Sequence, residues 1–180
     1  EELGRKEGMA DSLGNLGLIA QTRGELDLAE DYQKRALAID EELGDKEGMA
    51  ASLGNLGLIA QIRGKLDLAE DYHKRALAID EELGRKEGMA SQLGNLGVIA
   101  HARGELDLAE DYLKRALAID EELGRKEGMA IQLSNLGRVA FSRGDIDAAK
   151  QLWQRSADIS QEIGSPNAAL VESWIDSLEE

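Results

Sequence analysis

The 180-residue chain has no cysteine and one proline, and only 3% of its residues are aromatic. A chain without cysteine forms neither disulfides nor thiolate ligands for a metal ion. Lys and Arg together number 21 against 36 Asp and Glu, which gives a net charge of −15. This balance is the opposite of the clustered basic surface with which proteins bind nucleic acid. We therefore expect no nucleic-acid partner.

Long apolar runs are also missing. No stretch reaches the roughly 18 apolar residues that span a bilayer. The chain does not open on the basic and then apolar leader of a secreted protein. We expect no membrane partner and a cytoplasmic location. Because the first residue is Glu1 and not Met, we also expect a fragment whose upstream signal could have been lost.

What the chain does have is a repeat of forty residues. Residues 1–40 recur at 41–80 with five changes, and 81–120 differ from 41–80 at eight positions. A fourth copy keeps the pattern through Gly144 and then diverges. Copies this similar indicate recent duplication or a consensus-based origin. Identity between copies is therefore weak evidence of function, but the repeat itself sets the fold.

Each copy predicts two helices. In the first helix the apolar face has a helical period and ends before Arg23-Gly24; it contains Met9, Leu13, Leu16, Gly17 and Ala20. In the second helix the apolar arc ends before a glycine of C′ type; it contains Leu26, Ala29, Tyr32, Ala36, Leu37 and Ile39, with Gly44 as that glycine. No segment alternates as a strand does. The pattern predicts an all-α solenoid of tandem antiparallel hairpins, each of which needs a neighbour to bury its apolar face.

These spacings carry a family resemblance. Leu13, Leu16-Gly17 and Ala20, followed by Ala29 and Ala36, resemble the tetratricopeptide repeat, and the pattern returns in the next two copies and, without its last alanine, in the fourth. Small residues replace the family's Trp and Tyr, and a glutamate replaces its Pro. The forty-residue length and Leu13-Gly14-Asn15 look most like the Pins-type spindle-orientation adaptors named for a Leu-Gly-Asn repeat. The chain is also similar to kinesin light chain and to bacterial tetratricopeptide proteins. The resemblance implies a right-handed solenoid whose first helices line a concave groove.

The repeat also predicts the domain organisation. We expect a remnant of a preceding repeat at 1–4, repeats at 5–44, 45–84, 85–124 and 125–164, and a C-terminal capping helix at 165–180. Ser165 and Pro166 are typical of a helix start. The apolar face predicted for the cap contains Leu170, Val171, Trp174, Ile175 and Leu178. No cap precedes the first hairpin, whose apolar end could stack head to tail on another chain.

Two glycines lie inside the predicted first helix of each of the first three copies. Gly14 and Gly17 each cost about 1 kcal/mol relative to alanine in such a position. A cost that recurs in successive copies calls for an offset. We expect a neighbouring helix to approach closely at Gly17.

Residues for catalysis are scarce. His73 and His101 fall in different helices without a second ligand at metal-binding spacing. The adjacent Glu41 and Glu42 point in different directions on a helix, and no nucleophile accompanies them. We therefore expect no catalytic residue, no metal and no cofactor, and a protein that is not an enzyme.

One stripe lies opposite the core face of each first helix. Its constant members are Asn15, Asn55, Asn95 and Asn135. Its apolar members are Leu18, Leu58, Ile62, Val98 and Ile131, and the last two copies add Arg138, His101 and Phe141 on or beside it. An amide both donates and accepts, so it can pair with the backbone of a peptide. Helices about 10 Å apart would meet an extended peptide about every third residue.

Two functions fit this pattern. The first is a non-catalytic protein-protein interaction scaffold that binds an extended or short helical peptide segment in the groove through an asparagine ladder. The second is a structural or engineered self-associating array whose groove is idle. The asparagines could also be duplicated copies without a role. The stripe has no basic clamp for a C-terminal carboxylate, which favours internal segments, and the acidic surroundings favour neutral or basic ligands.

Overall fold

The structure is a computed structural model that describes residues 2–176. This range contains no strand. Its nine helices are α1 (Glu2–Thr22), α2 (Leu26–Leu43), α3 (Lys46–Ile62), α4 (Leu66–Leu83), α5 (Lys86–Ala102), α6 (Leu106–Leu123), α7 (Lys126–Ser142), α8 (Ile146–Glu162) and α9 (Asn167–Asp176). None of these helices is long and apolar enough to cross a membrane. The all-α hairpin fold expected from the repeat is confirmed. Glu1 and Leu178, named above, lie outside the described residues.

Glycines in the left-handed conformation end the helices. They stand twenty residues apart, at positions 24, 44, 64, 84, 104, 124, 144 and 164. At Gly44, φ is 69°, and the N–H groups of Gly44 and Asp45 donate to carbonyls in the last turn of α2. At Gly24, φ is 75°, and the next N–H donates to the Ala20 carbonyl over 2.9 Å. A side chain in this conformation would cost roughly 1–2 kcal/mol. The glycines therefore set both turns of every hairpin, as predicted.

Residues 2–88 form one compact unit, called unit 1 here. In it α1 packs on α2, α2 on α3 and α3 on α4. One core cluster joins Ala20, Ala29 and Ile59, and a second contains Leu37, Leu53, Leu56 and Ala76. In this unit α2 is thus packed between two first helices, its own and the next one along the chain.

Residues 89–176 form a second compact unit, unit 2. Here α6 packs on α7, α7 on α8 and α8 on α9. One core cluster contains Ala100, Ala109, Leu113, Leu136 and Val139. The last contains Ala149, Trp153, Ala157, Val171 and Ile175. The core of unit 2 therefore continues from the repeats into α9.

Helix α9 covers the end of the last repeat. Its first N–H, on Asn167, donates to Ser165 Oγ over 3.3 Å. Val171 and Ile175 are buried. Leu170 is 51% exposed, so the prediction that it lies on the packed face is wrong. Since α9 packs through the i, i+4 pair of Val171 and Ile175, Leu170 is rotated to the edge of the contact.

The first copy differs from the others on one face. Leu16 is 43% exposed, whereas its equivalents Leu56 and Leu136 are 1% and 6% exposed. Ile19 is 48% exposed, and its equivalent Ile59 is 1% exposed. In the second and fourth copies this face packs on the second helix of the preceding copy, α3 on α2 and α7 on α6, and no such helix precedes α1 among the described residues. The burial predicted for this part of the first apolar face is therefore wrong.

The start of α1 also departs from the repeat. Helix α1 is continuous from Glu2, so Gly4 is helical, unlike its left-handed equivalent Gly44. The expected boundary between residues 4 and 5 does not coincide with a helix end. Residues 2–4 extend α1 instead.

The glycine at the seventeenth position of each copy is a packing residue. A Cβ atom on Gly57 would lie 2.6 Å from the His73 ring, and one on Gly97 would lie 2.6 Å from Leu113. Real Cβ atoms do not approach other atoms this closely. The predicted close approach at Gly17 is confirmed, since a Cβ there would lie 2.5 Å from Gln33. The partner is the second helix of the same repeat.

Candidate peptide-binding surface

Unit 1 brings the first two asparagines of the stripe together. Asn15 from α1 and Asn55 from α3 line one open depression of about 310 Å³, together with Leu18. Asn15 is exposed and Asn55 is half-buried. Within residues 2–176 neither side-chain amide has a hydrogen-bond partner. Both amides therefore have donors and acceptors available to a ligand.

The apolar members of the stripe are accessible. Leu18, Ile62 and Ile131 are 44%, 59% and 42% exposed. Leu58 and Val98 are half-buried. Single exposed aliphatic residues are ordinary on a protein surface, but their recurrence along one stripe of the first helices is typical of a contact surface.

In unit 2 the stripe borders a second depression. Asn135 and Ile131 line a space of about 160 Å³ between α7, α8 and α9. Its polar lining consists mainly of hydroxyl groups, from Ser134, Ser156, Ser160 and Ser165. Asn95 and Asn135 are half-buried. The second depression is therefore less acidic than the one in unit 1.

Three further predicted residues cluster in two places in unit 2. His101 Nε2 lies 2.8 Å from Ser142 Oγ. Burial, and secondarily the charge of Arg138, lower the pKa of His101, so its ring is neutral at neutral pH. Phe141 is 47% exposed, and its ring centroid lies 5.8 Å from that of Trp153. Arg138 is exposed, and Phe141 offers an aromatic face beside the end of α7.

The floor of the unit 1 depression contains a residue that sequence reasoning missed. Asp40 is only 4% exposed, and its Oδ2 lies 3.5 Å from Ser52 Oγ. Burial, and then repulsion by Asp45 and Asp11, raise the pKa of Asp40 to about 6, against a smaller opposing effect of the Ser52 hydrogen bond. The carboxylate is therefore held in a place where its charge is poorly compensated.

Gln33 forms another part of this floor. It is completely buried, and its Nε2 donates to the Gly14 carbonyl over 3.0 Å. Because a carbonyl accepts only from the amide nitrogen, this bond fixes the orientation of the amide. Its Oε1 has no partner among the described residues. Gln33 lines the depression with an unused acceptor.

At the junction of repeats three and four, in unit 2, side chains fill the space that is open above Asp40 in unit 1. Asp120 is completely buried, and Arg125 Nη1 donates to it over 3.2 Å. Gln132 Nε2 lies 3.4 Å from the same carboxylate. The Gln132 amide also covers Gly94, where a Cβ would lie 3.0 Å from it. Leu113 occupies the position that Gln33 has in repeat one.

A sequence signal for this buried acid exists. Aspartate precedes a glycine by eight residues at Asp40 and Gly48, and a Cβ on Gly48 would lie 2.6 Å from the carboxyl carbon. The glycine thus makes room for the buried acid. Arg125 and Gln132 contact Asp120 in unit 2. The equivalent positions beside Asp40 in unit 1 are Asp45 and Ser52. These two differences distinguish the junction of repeats one and two, called the open junction, from the junction of repeats three and four, called the filled junction.

The family is shown by its sequence pattern. The tetratricopeptide repeat family matches residues 8–82, 48–122 and 88–162. The chain belongs to the tetratricopeptide repeat family, whose repeats generally form protein-interaction scaffolds. No curated protein sequence matches it.

Similar solved structures include three repeat proteins. The crystal structure of BtubC (BKLC) from P. vanneervenii is 27% identical, with a TM-score of 0.77, over 86% of this chain and 64% of that one. A putative kinesin light chain of Podosopora anserina with nearly identical repeats is 19% identical, with a TM-score of 0.74, over 94% and 84% of the two chains. A Rap protein complexed with Competence and Sporulation Factor is 18% identical, with a TM-score of 0.82, over 91% and 46%. The chain therefore spans less than two thirds of BtubC and about half of the Rap protein.

Proposed function

We propose that this protein is a non-catalytic scaffold that binds an extended or short helical segment of another protein along the stripe of its first helices. The observation that carries this proposal is the pair formed by Asn15 and Asn55, which line one open depression and leave both amides unpaired within residues 2–176. Polar groups that converge on one concavity are the usual mark of a binding site.

In this proposal the asparagines hold the peptide backbone. Each amide donates to a peptide carbonyl and accepts from a peptide N–H. In unit 1 the two rungs are Asn15 and Asn55, and in unit 2 they are Asn95 and Asn135. The flanking Leu18, Leu58, Val98, Ile62 and Ile131, with His101, Arg138 and Phe141 in unit 2, would select the side chains of the ligand.

A similar fold supports the choice of a peptide ligand. The Rap protein, which shares this fold, was solved in complex with Competence and Sporulation Factor. Its identity to this chain is 18%, so what the two proteins share is the fold.

The test is peptide selection with the 180-residue protein. A displayed library of random peptides of about ten residues is selected on the immobilised chain, and the affinities of the enriched peptides are measured by fluorescence anisotropy. We expect Asn55→Ala to weaken binding about tenfold, because loss of a paired amide costs roughly 1–1.5 kcal/mol. Gln151→Ala, an exposed substitution on α8, is the control and should change nothing. Undiminished binding by both Asn15→Ala and Asn55→Ala would show that the asparagines do not hold the peptide backbone.

The exposed face of α1 supports a second candidate function. Met9, Leu16 and Ile19 are 49%, 43% and 48% exposed, although Leu16 and Ile19 have buried equivalents in later copies. Such a face favours contact with another chain, as in a self-associating array. Light scattering over a concentration series tests this candidate. Association that is lost in Leu16→Glu and Ile19→Glu would support the array, and a monomer at all concentrations would exclude it.

A further inference from the structure

The depression between α1 and α3 has a chemistry that goes beyond a backbone ladder. Its floor consists of the Asp40 carboxylate, the Ser52 hydroxyl and the Gln33 amide, and Asp11 stands at its rim. All of these present oxygen atoms. Asp40 and Gln33 are 4% and 0% exposed, so both are held rigidly by the surrounding helices.

Gln33 provides an observation that is independent of the acidic groups. Its nitrogen is bonded to the Gly14 carbonyl, which leaves its Oε1 as the group without a partner among the described residues. A buried acceptor without a partner is unfavourable, so a donor that reaches it is favoured. Because Gln33 lines the depression, that donor can come from a ligand.

The filled junction of unit 2 shows which donor satisfies a buried carboxylate at this position. There the guanidinium of Arg125 contacts Asp120 over 3.2 Å, and the Gln132 amide closes the space. In unit 1 Asp45 stands in place of that arginine and accepts from the backbone N–H groups of Glu47 and Gly48 instead. The shorter Ser52 leaves open the space that Gln132 fills.

We propose that this depression binds the guanidinium group of an arginine side chain in the peptide partner, a deepening that rests on the peptide-binding function proposed above. A guanidinium carries five N–H donors in a fixed planar fork, so it can pair with the Asp40 carboxylate while its remaining donors face the other oxygen atoms that line the depression. The ligand arginine takes the place that Arg125 has at the other junction. Asn15 and Asn55, at the mouth of the same depression, pair with the backbone that carries it.

A divalent cation is a poorer fit. In the described part of the chain no three Asp, Glu or His side chains come together as a metal site would require. The depression offers the carboxylates of Asp40 and Asp11, and a guanidinium pairs with a carboxylate through charge-assisted hydrogen bonds.

The pocket is tested directly with a small probe. N-acetyl-arginine amide is titrated into the ¹⁵N-labelled protein at a pH of about 7.5, and the side-chain amide signals of Gln33, Asn15 and Asn55 are followed. We expect saturable shifts, with binding at least about tenfold weaker for the neutral isostere N-acetyl-citrulline amide. Equal binding of the two probes would overturn the proposal. Equal or tighter binding of N-acetyl-lysine amide would overturn the assignment to a guanidinium.

Three substitutions test whether the probe binds in this pocket or is attracted only by the negative charge of the whole protein. Asp45→Arg and Ser52→Gln introduce the residues of the filled junction, and each should abolish the shifts. Asp31→Arg makes the same change of charge as Asp45→Arg, but at an exposed site on α2, and should leave the shifts unchanged. Circular dichroism melting confirms that the variants are folded. Binding that persists in both Asp45→Arg and Ser52→Gln would overturn the proposal.

The peptide library separates this proposal from the function on which it rests. Enrichment of arginine at one position, lost in Ser52→Gln, supports both. Tightly bound peptides without any arginine preference would overturn the proposed arginine pocket but not the proposed scaffold function. Binding of the arginine probe without capture of any peptide would overturn the scaffold and leave the pocket.

Discussion

At the junction of repeats three and four, Arg125 and Gln132 close over a buried Asp120. At the junction of repeats one and two, Asp45 and Ser52 stand in their places, and an open depression lies over Asp40. The helices that form the two junctions are otherwise similar in sequence. The difference teaches that a packed interface and a pocket are separated by a few substitutions on one backbone arrangement.

The largest loss of stability is expected from substitutions at the seventeenth position of a repeat, where both units have a glycine. Gly57→Leu forces a side chain against His73 and should lower the free energy of unfolding by about 3 kcal/mol. Gly97→Leu should do the same in unit 2 because of Leu113. Urea unfolding followed by circular dichroism measures both. Gly8→Leu is the control, since no atom lies within 4 Å of a Cβ there. An unchanged stability of Gly57→Leu would contradict the packing described for this position.

The two buried aspartates should respond to the same substitution with opposite signs. The pKa of Asp40 is raised from 3.8 to about 6, so the folded state holds its proton more tightly than the unfolded state. Stability therefore falls as pH rises from about 4 to 6, by about 2–3 kcal/mol in all. Asp40→Asn should remove this loss, making the variant about 2 kcal/mol more stable than the parent at a pH of about 8 and equal to it at about pH 3.

Asp120→Asn is the counterpart in the filled junction. It deprives Arg125 of its buried partner and should destabilise the protein by about 2 kcal/mol at a pH of about 8. Urea unfolding at low, intermediate and high pH measures both variants. If the two variants shifted stability in the same direction at high pH, the contrast between the junctions would be wrong.

Converting the open junction toward the filled one should give a smaller effect whose sign depends on pH. Asp45→Arg removes the N-cap of α3, which costs about 1 kcal/mol. At a pH of about 8 it also provides a cation for Asp40, so we expect a net gain of about 1 kcal/mol. At about pH 3, where Asp40 is protonated in the folded state and largely protonated in the unfolded state, the loss of the cap dominates. Thermal melting at the two pH values checks this, and a loss at both would show that the introduced guanidinium does not reach Asp40.

The smallest effect is expected where the two units are alike. Arg63 contacts Asp27 over 2.5 Å and Glu30 over 3.1 Å, and Arg143 contacts Asp107 and Glu110 in the same way. Arg63→Gln and Arg143→Gln should each cost about 0.5–1 kcal/mol and less in high salt. Urea unfolding at low and high ionic strength measures them. Clearly unequal losses would show that the units differ beyond their open and filled junctions.

Local patterns were enough to predict the hairpins. The spacing of the apolar residues and the glycines at 24 and 44 place both helices and both turns, because these helix ends depend on neighbouring residues alone. The close approach at Gly17 was also predictable, since a glycine inside a helix needs a reason.

Features that depend on what lies across a junction were not predictable from the neighbouring residues alone. Leu16 and Leu56 have the same neighbours in sequence, yet one is exposed and the other buried because only the second has a preceding helix to pack on within the described residues. Asp40 precedes two exposed glutamates and resembles them in sequence. Its burial is decided by Gly48, which belongs to the next repeat. The openness above it is decided by Ser52, which lies still further along the chain.

The left-handed glycines have a consequence for how such chains change in length. Because every forty-residue block carries the stop signals for both of its helices, a block can be gained or lost without disturbing the turns of the others. The new seam brings together one second helix and one first helix that have not met before. The few side chains that face each other across this new interface then determine whether it packs tightly or leaves a cleft.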